Sequence, residues 1–564
     1  MKTSIFSRQS VGALLFLVLF CLQNHAQTIF YNPQLLPSKY EVRAVWLTTI
    51  GGLDWPHSYA QSERSANKQK KELCDILDRL QGAGINTVLL QTRVRATTIY
   101  PSTIEPWDGC LSGFPGRGPG YDALAFAIEE CHKRGMELHA WVVTMPVGKW
   151  NGPGCAALRK RQPTLLRRIG QEGYMNPESP QTAPYLAKIC QEIVHNYDID
   201  GIHLDYIRYP ETWNIKVSRP QGRAYITEIV RQIHDVVKKE KPWVKMSCSP
   251  IGKHDDLARY WSHGWNAHTT VCQDAQNWLK EGLMDELFPM MYFKDNNFFP
   301  FAIDWKEQSH GRIIVPGLGI YFMHPQEKNW PLESITREME VSRQYGMGHA
   351  FFRSKFFTDN VKGIYDFTAR TFNLYPALVP AMTWEYDKLP DAPKDLNIQS
   401  TSLQTTLSWT APQNQSGAPY LLYNIYASRQ YPVDVRDTRN LIVPRIKATQ
   451  QQLKTIEGMH YAVTTLDRFG NESKALQEAE GQKAAHRQLW LKNDGNKLFL
   501  PTNDSELDAD YVVIESLSGS IVSTQRYNHS LDISQIAEGV YQIRSINRKG
   551  TQHRIGTFII KRKR

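Results

Sequence analysis

The chain contains 564 residues, of which 41% are hydrophobic and 22% are charged, and it carries a formal net charge of +10. This composition excludes a disordered or fibrous chain, and the length exceeds one compact core, so we expect roughly two to four globular domains. The positive charges are spread along the chain without clusters, which indicates a solvated basic surface, although the excess could favour anionic wall polymers. No nucleic-acid partner is expected.

The first residues have the layout of a secretory signal peptide. Two basic residues precede the apolar run 11–22, and the small-residue stretch NHAQ follows it. We therefore predict a signal peptide over 1–26, with cleavage after Ala26. Lipidation of Cys21 is the alternative, which the bulky Phe20 before it disfavours. No segment is apolar for long enough to span a membrane, so the mature protein is expected to be exported, either periplasmic or at the cell surface.

A strand, a loop and an amphipathic helix alternate from Glu41 to about Phe372. Eight apolar strands are predicted at EVRAVWLTT, NTVLLQTRV, MELHAWVVT, DGIHLDYIRY, KMSCSP, ELFPMMYF, RIIVPGLGIY and GHAFFRS. The helices between them repeat apolar residues at i, i+3, i+4 and i+7, as in the stretch 73–80. Eight such units predict an α/β fold, a (β/α)₈ barrel over 27–375. An open doubly wound sheet is the rival fold, but no glycine-rich phosphate loop follows the first strand.

Beyond the barrel the sequence becomes rich in proline and then β-patterned. A linker is predicted over 376–392, where prolines recur without helical periodicity. Short alternating strands over 393–485, including YNIYAS and YAVTTLDRFGNES, predict a small β-sandwich that resembles a fibronectin type III domain. The last portion, 486–564, is a second small all-β domain, either an accessory domain or, from its resemblance to the C-terminal domains of the type IX secretion route, a sorting domain.

Chemistry is expected at the fourth strand, in the stretch DGIHLDYIRYP. Side chains alternate across a strand, so His203 and Asp205 share one face while Ile202 and Leu204 occupy the other. A carboxylate in a low-dielectric interior is costly unless it is paired, hydrogen-bonded or placed at a solvated site. Asp205 therefore marks a candidate site.

The active site of a (β/α)₈ barrel forms at the C-terminal ends of its strands, and Asp205 lies near the end of the fourth. We expect its carboxylate to face the top of the barrel beside Arg93 and Arg95 of the second strand and His139 of the third. Nearby cations would keep the carboxylate ionised, as a nucleophile or charge stabiliser requires. The alternative is a structural aspartate that only anchors the arginines.

Motifs at successive strand ends carry a family resemblance. RAVWLTTIGGLDWP, NTVLLQTRV, LHAWV, DGIHLDYIRYP, SPIG, MMYF and PGLGIY occur in this order and resemble glycosyl-hydrolase-like family ten, the DUF187 group of envelope proteins. The resemblance implies a barrel that cleaves glycosidic bonds, with peptidoglycan glycan strands as the substrate class. It assigns site positions to Arg93, Asp205, Tyr206 and Tyr209. Many members read like HAWxNPYR at the third strand, whereas this chain reads HAWVVTMP.

Glycoside hydrolysis normally needs a second carboxyl group. The seventh strand, VPGLGIYFM, contains none, so strands four and seven do not supply the pair. Asp295, which follows the sixth strand, is the first choice, and Glu105, Asp108 and Asp54 are the alternatives. An N-acetyl group of the substrate acting as nucleophile would remove the need for one carboxylate.

Aromatic side chains are expected to bind the sugar, because flat rings cover the apolar C–H faces of sugars. Tyr292 of the MMYF motif is one such candidate. The loops of the predicted rim hold eight tryptophans: Trp55, Trp107, Trp150, Trp213, Trp261, Trp265, Trp305 and Trp330.

We therefore expect a glycoside hydrolase that acts on envelope glycans. The alternatives are a non-catalytic glycan-binding scaffold of the envelope and a hydrolase of a dietary or host polysaccharide. No cofactor or metal is expected, since no cysteine or histidine cluster has the spacing of a metal site.

Overall fold

The computed structural model describes residues 38–260, 264–478, 491–500, 510–516, 521–546 and 552–562. The predicted signal peptide, Cys21 and Trp261 lie outside these residues. Within them, no helix is both long and apolar enough to cross a bilayer.

Parallel strands form a closed barrel. The strands are β1 Arg43–Leu47, β2 Thr87–Arg93, β3 Glu137–Val143, β4 Gly201–Asp205, β5 Lys245–Cys248, β6 Glu286–Leu287, β7 in two halves at Ile313–Ile314 and Gly317–Leu318, and β8 His349–Phe351. The first half of β7 pairs with β6 and the second half pairs with β8, while β8 also pairs with β1. One interrupted strand thus joins the two ends of the sheet, and the predicted (β/α)₈ barrel is confirmed.

Helices surround the barrel. The main ones are α1 Glu63–Gly82, α2 Ala123–Lys133, α3 Thr182–Asn196, α4 Arg219–Glu240, α5 Ala275–Lys280, α6 Phe299–Glu307, α7 Leu332–Gln344 and α8 Ile364–Phe367. Shorter helices lie at Gly109–Ser112, Pro153–Arg161, Ala267–Thr270 and Ser354–Thr358. Helix α1 shows why they form: Ser62 caps its first turn, and Leu73, Leu77 and Leu80 bury one face.

The two faces of β4 pack into different cores, as the alternation predicts. Ile202 and Leu204 belong to the outer core between the strands and helices. His203 points into the lumen, where Trp46 Nε1 donates a hydrogen bond to its Nε2 at 3.2 Å and Ser247 Oγ lies 3.0 Å from its Nδ1. Burial holds the pKa of His203 well below its usual range, so this imidazole is neutral.

Buried ion pairs close the floor of the barrel, at the amino-terminal ends of the strands. Glu137 lies 3.0 Å from Lys245 and 3.2 Å from His139 Nε2, and His139 Nδ1 lies 3.2 Å from Glu286. Arg445, beyond the barrel in sequence, reaches this floor and lies 2.9 Å from Glu137. Removing one partner of such a buried ion pair strongly destabilises the folded protein, because the other charge is left uncompensated.

Two sheets form a β-sandwich after the barrel. One sheet orders the strands Lys394–Ser400, Gln404–Thr410 and Gln450–Lys454, and the other orders Leu441–Ile446, Leu422–Ser428, His460–Leu466 and Leu476–Gln477. Trp409, Tyr423 and Val463 fill the space between them. The structure therefore contains the expected sandwich, while its fibronectin type III character stays a prediction.

The described part of the C-terminal region is also all-β. Its sheets comprise Tyr511–Ser516, Ile521–Arg526, Gly539–Ile546 and Gln552–Ile560, with the smaller pair Lys497–Phe499 and Ser530–Asp532. A separate apolar core that includes Ile514, Ile543 and Phe558 holds these strands together.

Candidate active site

Asp205 ends β4 and faces the lumen at the carboxyl ends of the strands. Its Oδ1 accepts hydrogen bonds from Ser249 Oγ and from the Tyr206 backbone N–H, each at 2.8 Å, and its Oδ2 accepts from Trp141 Nε1 at 3.1 Å. The residue is 7% exposed. These three donors fix the carboxyl group and leave one acceptor position, on Oδ2, for a proton or a substrate.

The surroundings favour the protonated form of Asp205 more than water does. Burial raises the pKa of this carboxyl group above its usual value, and the hydrogen bond from Ser249 and the charge of Arg208 only partly oppose the shift. Asp205 therefore keeps its proton to a higher pH than an exposed aspartate.

Arg93 is not the cation beside Asp205 that the sequence led us to expect. The register between β2 and β3 shifts after Gln91, so that Arg93 pairs with Val142, which belongs to the outer core. A shift of one residue moves a side chain to the other face of a strand. Arg93 therefore leaves the lumen and enters the layer beneath α3.

The buried partner of Arg93 is Glu105. The two side chains have no exposed surface and form two hydrogen bonds of 2.7 Å, and Tyr185 of α3 donates a third to Glu105 at 2.9 Å. This bidentate pair ties the loop after β2 to the outer layer. Each of the two buried charges is thus neutralised by the other and needs no contact with a sugar. The expected roles of Arg93 in substrate binding and of Glu105 as an acid therefore receive no support from the structure.

The other two alternative carboxylates also have structural partners. Asp54 accepts hydrogen bonds from Thr48 and forms an ion pair with Arg353. Asp108 caps the helix Gly109–Ser112 through the Cys110 N–H at 2.8 Å. Neither contacts Asp205.

Asp295 begins a short turn, Asp295–Asn297, and is exposed there. Its negative charge acts on Glu338, a buried residue of α7, and contributes to raising the pKa of that carboxyl group after the larger effect of burial. The hydrogen bonds that hold the Asp205 carboxyl group come from Ser249, Trp141 and the Tyr206 N–H, and not from Asp295. The pairing of these two aspartates thus receives no geometric support.

Two predicted sugar-binding tyrosines do lie beside Asp205. Burial and the Asp205 charge raise the pKa of both Tyr206 and Tyr292. From Tyr292 an aromatic wall continues to Phe352, with ring centroids 5.3 Å apart, and to Tyr321 at 5.7 Å. All four rings are partly exposed, so this wall can cover the face of a sugar.

An ion pair that sequence reasoning missed lies on the same rim. The Arg208 guanidinium stacks 4.4 Å from the Tyr206 ring centroid, and its Nη2 lies 2.7 Å from Glu211. Burial raises the pKa of Glu211, but Arg208 outweighs this effect and brings it below the usual value. The charges of Asp205 and Glu211 both raise the pKa of the Tyr206 hydroxyl. The signal was present in the sequence, since Arg208 lies in the motif DGIHLDYIRYP and Glu211 directly follows it.

Four of the eight predicted tryptophan platforms are core residues. Trp55 has no exposed surface and donates to the Gln69 carbonyl at 2.9 Å, so it offers no face to a sugar. Trp265 is 44% exposed, while Trp107 and Trp150 are partly buried. Buried positions are also held by Trp213, Trp305 and Trp330.

Tyr209 and His139 are likewise unavailable to a substrate. Tyr209 is fully buried and packs edge-on against Trp213 at 5.7 Å. His139 belongs to the ion pairs of the floor, and although burial lowers its pKa, Glu286 and Glu137 outweigh burial and raise it to about 9. Their expected sugar contacts are therefore corrected to structural roles. Within the described residues, no three acidic, histidine or cysteine side chains are grouped to hold a metal ion.

A closed (β/α)₈ barrel that carries an oriented carboxyl group and an aromatic wall at the carboxyl ends of its strands has the architecture of glycoside hydrolases. The chain belongs to the glycosyl hydrolase-like 10 family, whose model matches residues 41–221 and 219–326. The family assignment made from the strand-end motifs is thus confirmed.

Several known proteins are similar to this chain. It is 28% identical over 481 residues to glycosyl hydrolase YngK of Bacillus subtilis (strain 168), covering 78% of this chain and 93% of that one. It is 29% identical over 294 residues to glycosyl hydrolase DigH of Escherichia coli (strain K12), covering 45% of this chain and 66% of that one. Among solved structures, an endo-1,4-beta-D-mannanase from Thermotoga petrophila RKU-1 is 12% identical with a TM-score of 0.39, covering 56% of this chain and 88% of that one.

Proposed function

We propose that this protein hydrolyses glycosidic bonds in an envelope glycan, and that its substrate is the glycan strand of peptidoglycan. The observation that carries the proposal is the Asp205 carboxyl group, fixed by Ser249, Trp141 and the Tyr206 N–H at the carboxyl end of β4. A buried carboxyl group with a raised pKa, placed beside an aromatic wall, is suited to proton transfer on a sugar.

The proposal assigns separate roles to two carboxyl groups. Burial raises the pKa of Asp205, whereas Arg208 lowers that of Glu211, and opposite shifts of this kind distinguish the acid from the base in glycosidases. Asp205 gives its proton to the leaving sugar oxygen. The ionised Glu211 acts on the other side of the sugar carbon, either directly or by taking a proton from the attacking water, and water supplies the new hydroxyl group.

This assignment revises the expectation that Asp205 is the ionised group. That expectation depended on Arg93 as a neighbour, but Arg93 is bound to Glu105. With Arg208 as the nearby cation, burial outweighs the charges and hydrogen bonds that favour the ionised form.

The choice of an envelope glycan is supported by three features. The sequence predicts export, the mature chain is basic, and the partly exposed wall of Tyr206, Tyr292, Tyr321 and Phe352 suits a polymer that lies flat. Strands without stem peptides would fit this wall best, since a bare sugar chain presents its faces to the rings.

The test is a digest by the purified protein of peptide-free peptidoglycan strands, intact sacculi and neutral polysaccharides, with new reducing ends counted. We expect the fastest release from peptide-free strands and none from the same strands with Asp205→Asn. Asp75→Asn, on the exposed face of α1, is the matched control and should retain full activity. Cleavage of a neutral polysaccharide alone would contradict the substrate, and binding without cleavage of any glycan would indicate the scaffold alternative.

The second carboxyl group is tested by comparing Glu211→Gln with Asp295→Asn on the peptide-free strands. The proposal expects loss of about 10²- to 10⁴-fold in rate for Glu211→Gln and little change for Asp295→Asn. The reverse result would restore the pair expected from the sequence.

A further inference from the structure

The loop between β3 and α3 folds into a small sheet and a helix on the rim of the barrel. Its three strands, Pro146–Lys149, Glu172–Met175 and Leu166–Ile169, form an antiparallel sheet in this order, and the helix Pro153–Arg161 packs on them. We refer to residues 146–175 as the rim insertion. It begins at Pro146, the last residue of the stretch HAWVVTMP, which departs from the pattern that many family members show.

The rim insertion concentrates positive charge, which corrects the view that the basic residues are evenly spread. It contains six cations and one acidic residue, Glu172. The cations are Lys149, Arg159, Lys160, Arg161, Arg167 and Arg168. All but Arg159 are exposed, and no ion pair to any of the six occurs in the described part of the chain. Unpaired cations at this density attract an anionic partner.

Tryptophans hold three of these arginines in place. The guanidinium of Arg159 lies 4.4 Å and that of Arg168 lies 5.9 Å from the ring of Trp150, and Arg167 lies 4.7 Å from the ring of Trp213. Arg159 and Arg168 each also donate one hydrogen bond to a backbone carbonyl, of Trp150 and Gly170 respectively. Stacking fixes the plane of a guanidinium and leaves its remaining N–H groups available for a carboxylate. The arginines are thus partly ordered before a ligand arrives, which lowers the entropy cost of binding.

The rim insertion is continuous with the candidate active site. Its Tyr174 contributes electrostatically to raising the pKa of the Tyr206 hydroxyl, as does the charge of Asp205. Trp213, on which Arg167 stacks, packs against Tyr209 in the loop that follows Asp205. The segment that carries the arginines therefore borders the loop that follows Asp205.

We propose that the rim insertion binds the carboxylate groups of an acidic glycan and extends the Asp205 cleft along the sugar chain. This inference deepens the proposed function, because the bound polymer is the one that Asp205 cleaves. Peptidoglycan strands that have lost their stem peptides carry a free lactyl carboxylate on every second sugar, whereas the same group is an amide in the intact polymer. The basic insertion would thus distinguish peptide-free from intact strands by charge.

The test measures binding, not turnover, so that it is independent of the catalytic assignment. Asp205→Asn protein is titrated with peptide-free strands and with the same strands after their carboxylates are coupled to methylamine, which removes the charge and keeps the sugar backbone. We expect at least tenfold weaker binding to the amidated strands. Adding Arg167→Gln and Arg168→Gln should weaken binding to the charged strands about 3- to 30-fold and leave binding to the amidated strands unchanged.

A matched control removes the same charge elsewhere. Arg64→Gln with Lys68→Gln changes two exposed cations of α1 on the outside of the barrel and should leave both affinities unchanged. Equal binding of charged and amidated strands would overturn the proposal, as would equal losses in the rim-insertion and control variants. DNA or anionic vesicles that bind as tightly as the charged strands would also overturn it, in favour of a general polyanion surface. If hydrolysis fails while charge-dependent binding holds, only the catalytic proposal is contradicted.

Discussion

Replacing Ser249 by alanine tests the role of Asp205 through its pKa. Ser249 Oγ donates to Asp205 Oδ1 at 2.8 Å, and this hydrogen bond is the strongest of the influences that favour the ionised carboxylate. A hydrogen bond to a charged group contributes about 1.5 to 3 kcal/mol, which corresponds to about 1 to 2 pH units. Ser249→Ala should therefore raise the pKa of Asp205 by about that amount.

The sign of the effect on rate follows from the assigned role. An acid must be protonated, so activity is lost as pH rises through the pKa of Asp205, and the alkaline limb of the kcat/KM profile should move up by about 1 to 2 units in Ser249→Ala. The assay is reducing-end release from peptide-free strands across pH. Ser247→Ala, two residues earlier on β5 and bonded to His203, is the control and should not move this limb.

Two results would refute this reasoning. An unchanged profile would mean that the Asp205 pKa does not govern turnover. An upward shift of the acid limb instead would mean that Asp205 acts in its ionised form, as the original expectation from the sequence held.

Glu105→Gln should leave Arg93 buried without a counter-charge and lower the stability of the barrel by about 3 to 5 kcal/mol, measured by denaturant unfolding, without moving either limb of the pH profile; unchanged stability would contradict a structural role. Tyr292→Ala should raise KM for the glycan several-fold, while Trp55→Phe should lower the melting temperature and leave KM unchanged; a KM effect for Trp55→Phe would restore its sugar contact. His139 has a pKa of about 9 in the folded protein, above that of an unfolded histidine, so its contribution to stability is present below about pH 6.5 and is lost as pH rises through about 9. His139→Gln should therefore flatten the fall in the denaturant midpoint between these two pH values, and an unchanged slope would contradict this origin.

The barrel could be predicted because its strands and helices have distinct apolar periods. The alternation of β4 placed His203 and Asp205 in the lumen correctly, since the period of a strand does not depend on its neighbours. Strand lengths were less predictable. ELFPMMYF forms only two residues of regular strand, Glu286–Leu287, and Pro316 interrupts β7 because it lacks a backbone N–H for the ladder.

The environment of Asp205 was less predictable than its position. The shift of register after Gln91 depends on how β2 and β3 pair, and alternation alone gives no sign of it. Without that shift Arg93 would face the lumen as expected. The prediction that Trp55 binds sugar was wrong for a related reason. A tryptophan in a rim loop can turn inward as easily as outward, and only the packing of α1 decides which.

The most direct test of the central claim is the value of kcat/KM for Asp205→Asn on peptide-free glycan strands, measured on protein shown to be folded. The variant keeps the volume of the side chain, but an amide cannot satisfy Ser249, Tyr206 and Trp141 together, so a stability loss of about 1 kcal/mol is expected. We predict a folded protein whose kcat/KM is at least about 10²-fold lower. A folded variant that cleaves the strands within a few-fold of the wild-type rate would contradict the account.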